Sequence, residues 1–143
     1  MKAPATVIPR ALLVLSASLG PLFAQVPSQQ QQPEFIKQGQ QLMREEKLDD
    51  ALALYRKTLQ ISPDSGPANI AAGSVLDIMG QGEEARLYFA KAIQVADTPE
   101  NNAIAQRAMA MSYAFEGDCR KTVKYEQRVF DYFGSAKNFF QQG

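Results

Sequence analysis

The chain has 143 residues, 45% of them hydrophobic, with 15 basic and 15 acidic residues and no histidine. Neutrality removes the basic footprint that nucleic acid or anionic lipid requires, and the lack of histidine removes the commonest general base and metal ligand. The one cysteine, Cys119, has no cysteine or histidine partner for a disulfide within the chain or for a zinc site.

The first 24 residues read as a secretory signal. Lys2 and Arg10 give a positive start without acidic residues, Ala11 to Leu19 are apolar or small, and Gly20-Pro21 precedes Leu22-Phe23-Ala24. The apolar run is shorter than the roughly 20 residues of a membrane span, so cleavage after Ala24 is expected to leave no span. An exported protein is implied, whether periplasmic, held in the cell envelope or secreted. Without Lys2 and Arg10 the chain carries 13 basic and 15 acidic residues. Residues 25–32 form a Gln/Pro-rich linker with little to bury.

Helical patterns follow. Pro33 opens the first, expected to reach about Glu46, with Phe35, Gly39, Leu42 and Met43 on its buried face. Asp49 and Asp50 put negative charge at the start of the second, which Ile61-Ser62-Pro63 ends. After the turn residues Asp64 to Pro67, a second hairpin is expected from about Pro67 to Met79 and from Glu83 to Val95. A third spans about Glu100 to Phe115 and Asp118 to Phe133, with Thr98 as N-cap and Pro99 at the first helical position. Residues 134–143 are expected to be an incomplete or fold-back segment, because Asn138 to Gly143 looks like the opening of another first helix. Phe130, Phe133, Phe139 and Phe140 would then form an apolar patch through which copies self-associate head to tail.

A fixed period underlies these hairpins. Ala51 and Ala85 are 34 residues apart, and Tyr55 is answered by Phe89, Thr58 by Ala92, Gly39 by Gly73 and Leu42 by Leu76 at the same offset. Asn69 stands where Phe35 stood. In a third copy Ala110, Tyr113 and Gly117-Asp118 fit, while Thr122 and Glu126 replace the small and aromatic residues. That copy lies 37 residues on from Ala85, so about three residues are expected to be inserted near Asp97 to Asn102. In period and in its small-aromatic-small pattern the stretch from Pro33 to Phe133 resembles a tetratricopeptide repeat protein. The resemblance implies an all-α fold, a helical-hairpin solenoid of about three units (33–65, 66–98 and 99–133) wound as a right-handed superhelix. Its concave groove would be lined by the first helix of each unit. A four- or six-helix bundle without repeat geometry is the competing architecture.

The residues offer little chemistry. Asp49-Asp50, Glu45-Glu46 and Glu83-Glu84 sit at helix starts and ends, where they complement the helix dipole. Gly80-Gln81-Gly82 is too short for a phosphate loop and lacks the Lys and Ser/Thr that would follow. Cys119 reads as a partly buried residue leading into a helix, with an intermolecular disulfide or a reactive thiol as the alternatives. No catalytic residue, cofactor or metal site is assigned. The carboxylate clamp of the chaperone-binding members of this family would fall on Ile36, Gln40, Ala71, Ile104 and Ala108, which lack its lysines, asparagines and arginine. The groove is instead expected to present Lys37, Gln40, Gln41 and Arg44 from the first unit. Ile70, Ser74, Asp77 and Ile78 would come from the second, and Arg107, Met111 and Phe115 from the third. Amide, charged and apolar groups together suit a protein or peptide partner. Two functions fit: an exported non-enzymatic scaffold, or the N-terminal fragment of a larger exported protein whose catalytic or secretion-related part lies elsewhere.

Overall fold

The computed structural model describes residues 33–141, with side chains through residue 134. The expected signal and linker, residues 1–24 and 25–32, lie outside the described residues. Six helices follow in order: α1 (Glu34–Arg44), α2 (Leu48–Ile61), α3 (Gly66–Ile78), α4 (Gly82–Val95), α5 (Pro99–Phe115) and α6 (Cys119–Gln141). The described residues contain no strand.

Helix ends have local causes. Pro33 caps α1, and Pro67 and Pro99 occupy the first turns of α3 and α5, where a missing N–H costs nothing. The Ser65 and Thr98 hydroxyls accept the backbone N–H groups of Ala68 and Asn101, at 3.3 and 3.1 Å. The three first helices stop in one way. Glu46, Gly80 and Gly117 take the left-handed conformation, at φ +60°, +77° and +77°. The next residue's N–H then returns to the last turn, from Lys47 to Leu42, Gln81 to Leu76 and Asp118 to Tyr113, at 2.8–2.9 Å.

Consecutive helices pack on one another, and α3 also packs on both α1 and α5. The second helices α2, α4 and α6 do not approach each other at backbone level, so α1, α3 and α5 make one continuous row. Within a unit the packing depends on a missing side chain. A Cβ at Gly39 would strike the end of the Tyr55 ring, and one at Gly73 would lie 2.5 Å from Phe89 Cε1 and 2.9 Å from the Ala85 carbonyl oxygen. Tyr55 and Phe89 are buried there with Ala51, Ala85, Val75 and Leu76. The third unit solves the problem differently: Ala110 keeps its Cβ, and Tyr125 stacks on Tyr113 with centroids 5.7 Å apart.

The added residues of the third copy, expected near Asp97 to Asn102, form an extra turn at the N-terminal end of α5, which has 17 residues where α3 has 13. The structure corrects two other expectations. The last helix does not stop at Phe133. α6 continues through Gly134 to Gln141, so residues 134–141 neither fold back nor open a separate first helix. Gly134 has no positive φ, and one glycine costs a helix only about 1 kcal/mol. Finally, Cys119 is exposed, since it begins a helix that nothing in the described residues overlies on its outer side.

Candidate interaction surface

The repeat sets α1, α3 and α5 side by side, so residues at equivalent positions form rows across them. One row is Arg44, Ile78 and Phe115, the next Gln40, Ser74 and Met111, then Ile36, Ile70 and Arg107. The first two rows start polar on α1 and gain open apolar surface toward α5, whereas the third runs from half-buried Ile36 and Ile70 to exposed Arg107. Ile78 is 57% exposed, Met111 51% and Phe115 69%.

All eleven residues expected in the groove lie on these three helices, and none is buried. The structure does not bring them all to one open surface. Lys37, Gln40 and Arg44 are exposed on α1, with Lys37 Nζ 3.9 Å from Glu34. Ser74 donates its hydroxyl to the Ile70 carbonyl at 2.9 Å, which turns it toward its own helix. Gln41 belongs elsewhere: its equivalents Val75 and Ser112 are fully buried against the preceding unit, so Gln41 occupies the N-terminal end face of the array. There its amide bonds Glu45 at 2.7 Å and accepts from Arg44 at 2.6 Å.

Asp77 is also engaged. Its Oδ1 accepts the Ser112 hydroxyl at 2.8 Å, joining α3 to α5. Arg86 on α4 donates to the same hydroxyl at 3.3 Å and pairs with Glu116 at 2.6 Å. Burial pushes the Asp77 carboxyl above the ordinary aspartate range, and the bond from Ser112 and the charge of Arg86 only partly oppose it. Arg107 reaches away from its row, with its guanidinium 5.8 Å from the Phe133 ring centroid.

Two residues complete the surface that sequence reasoning weighed only as clamp positions. Ile104, 50% exposed, and half-buried Ala108 continue Met111 and Phe115 along α5 at steps of four, three and four. That spacing draws one apolar stripe down the helix, and it was visible in the sequence. The clamp positions themselves hold one amide and four apolar side chains, so no cation there faces a carboxylate. Among the described residues no group of three His, Cys, Asp or Glu side chains could hold a metal ion. No described helix is long and apolar enough to cross a membrane.

No protein-family model matches the chain. It is similar to the solved structure of MamA MSR-1 C2, with a TM-score of 0.61 and 22% identity over 71% of this chain and 57% of that one. That likeness joins the hairpin period and the row of first helices. The chain has the tetratricopeptide-repeat fold. The tetratricopeptide array is also similar to the human protein O-mannosyl-transferase TMTC1, 34% identical over 61 residues, which are 43% of this chain and 7% of that protein. The chain thus spans a small part of that transferase and just over half of the solved neighbour. Across the row of first helices the exposed side chains run from polar on α1, at Lys37, Gln40 and Arg44, to mostly apolar on α5, at Ile104, Met111 and Phe115.

Proposed function

We propose that the chain is an exported, non-enzymatic interaction module that takes a segment of a protein partner along the row of first helices. The observation that carries this reading is the apolar stripe of exposed Ile104, Met111 and Phe115 with half-buried Ala108 between them, flanked by Ile78 and followed across the row by Gln40 and Arg44. An array of hairpins presents such a surface without needing to move. A segment with apolar side chains at one end and polar ones at the other suits its gradient.

Peptide-display selection against the chain lacking residues 1–24 tests the proposal. Enriched peptides should be apolar at one end, and Met111→Glu with Phe115→Glu should abolish their binding without unfolding the protein. Selection of no consensus, or peptides indifferent to the double substitution, would overturn it. Export is supported by residues 1–24 alone. N-terminal sequencing of the exported protein should begin near Gln25, and an intact Met1 would refute cleavage.

One observation favours a second reading. The chain matches 7% of a far longer protein named as a transferase, which suits an array that serves as one part of a larger exported protein. A transcript whose reading frame continues past Gly143 would decide for it.

A further inference from the structure

We propose that the outer face of α6 is a second docking surface, and that it takes in trans a partner protein's amphipathic helix bearing small apolar residues at i, i+4 and i+7. The repeat itself says what belongs there. On α4 the side chain that meets the next unit is Arg86, bonded to Ser112 on α5 and to Glu116 at its C-cap, and standing 4.7 Å from the Tyr113 ring centroid. The equivalent residue on α2 is Leu52, 5% exposed and clustered with Ala72 and Val75 of α3. On α6 it is Val123, 65% exposed. Seven residues further, Leu59 and Ile93 are half-buried, while Phe130 is 70% exposed. α6 therefore carries the apolar half of an interface that the array builds twice internally.

The covering helix can be read from those two interfaces. α3 presents Ala68, Ala72 and Val75, and α5 presents Ala105, Met109 and Ser112, all buried. Val123 and Phe130 resemble Leu52 and Leu59 rather than Arg86, so the occupant is of the α3 kind, small and apolar, without the hydroxyl that Arg86 uses. A second copy does not supply it head to tail. α1 holds Glu34, Gln38 and Gln41 at the same three positions, all exposed, and stacking would bury a carboxylate and two amides against Val123 and Phe130.

Within the described residues no segment returns over this face either. α6 has 23 residues where α2 and α4 have 14 each. It runs on by roughly 14 Å at 1.5 Å per residue, past the point at which the earlier second helices turn into the next unit. The short connection that seats α3 on α2 is not repeated.

The probe is a synthetic hairpin with the sequence of residues 66–95, its two helices covalently cross-linked and its helicity verified by circular dichroism before titration, because a single repeat does not hold its fold alone. It carries a fluorophore at its C-terminus and is titrated with the full chain. Anisotropy should rise to saturation. Val123→Glu with Phe130→Glu should weaken binding at least tenfold, and Ala72→Glu in the hairpin should do the same. Met111→Glu with Phe115→Glu, on the first-helix row, should leave it unchanged, so this surface and the proposed groove fail separately. Both pairs of residues are more than half exposed, and circular dichroism should show either variant folded. Absence of saturation at millimolar chain, or binding that survives Val123→Glu with Phe130→Glu, overturns the proposal. So does sedimentation showing a dimer that this double substitution dissociates, because a second copy would then be the occupant.

Discussion

The Ser112 hydroxyl on α5 donates to Asp77 Oδ1 on α3 at 2.8 Å, and together with the Arg86 bonds to Ser112 and Glu116 it ties the third unit to the second. Its position explains why Asp77 does not serve the open surface: the carboxylate faces α5, with Arg86 and Glu116 nearby.

The same contact predicts a pH dependence. Burial raises the Asp77 carboxyl in the folded protein, with Glu116 adding to the rise and Ser112 and Arg86 opposing it. The folded state thus holds the proton more tightly than the unfolded chain. This group's stabilising contribution is full below the ordinary aspartate range and is lost as pH rises through the folded value. Asp77→Asn keeps an acceptor for Ser112 and carries no charge, so its stability relative to wild type should climb over that window and level off near neutrality. Urea midpoints of both proteins between about pH 3 and pH 7 read this directly. A difference that does not change with pH would show that the carboxyl is not raised.

Gly73→Ala should destabilise the array by about 1–3 kcal/mol, the usual cost of overpacking. The added carbon would stand 2.5 Å from Phe89 Cε1 and 2.9 Å from the Ala85 carbonyl oxygen, and the latter is backbone. Combined with Phe89→Leu, it should cost less than the two changes summed. Denaturant unfolding within a few tenths of a kcal/mol of wild type would place the two helices further apart than described.

Glu46→Gly should stabilise the protein by about 0.5–1 kcal/mol, because Glu46 holds φ +60° at the place where the other two units use glycine. The converse changes, Gly80→Ala and Gly117→Ala, should destabilise by a similar amount, since nothing crowds either position and the cost is conformational alone. Thermal melts of the three variants should fall on opposite sides of wild type, and a drop for Glu46→Gly would contradict this.

Ala85→Glu should cost several kcal/mol and collapse the middle of the array. Ala85 is fully buried on α4, against the Gly73 position of α3. Against a total stability of about 5–15 kcal/mol, circular dichroism should show the variant largely unfolded at room temperature. A melting temperature close to wild type would mean that the side chain escapes to solvent.

Much of this protein is determined by its sequence alone. The 34-residue recurrence of Gly39 with Tyr55 and of Gly73 with Phe89 predicts hairpins of two helices, because a small residue facing an aromatic is a contact within one unit. The caps at Ser65 and Thr98 and the turns at Gly80 and Gly117 are equally local. Tertiary structure decided what lies between units. It showed that Asp77 is bonded across to Ser112, that Gln41 belongs to an end face, and that Arg107 reaches toward Phe133. It also placed the extra residues of the third unit in a turn of α5 and carried α6 through Gly134. The physical reason is that helix periodicity gives each residue's angle around its own axis, whereas the side chain it meets depends on how neighbouring hairpins are set against each other.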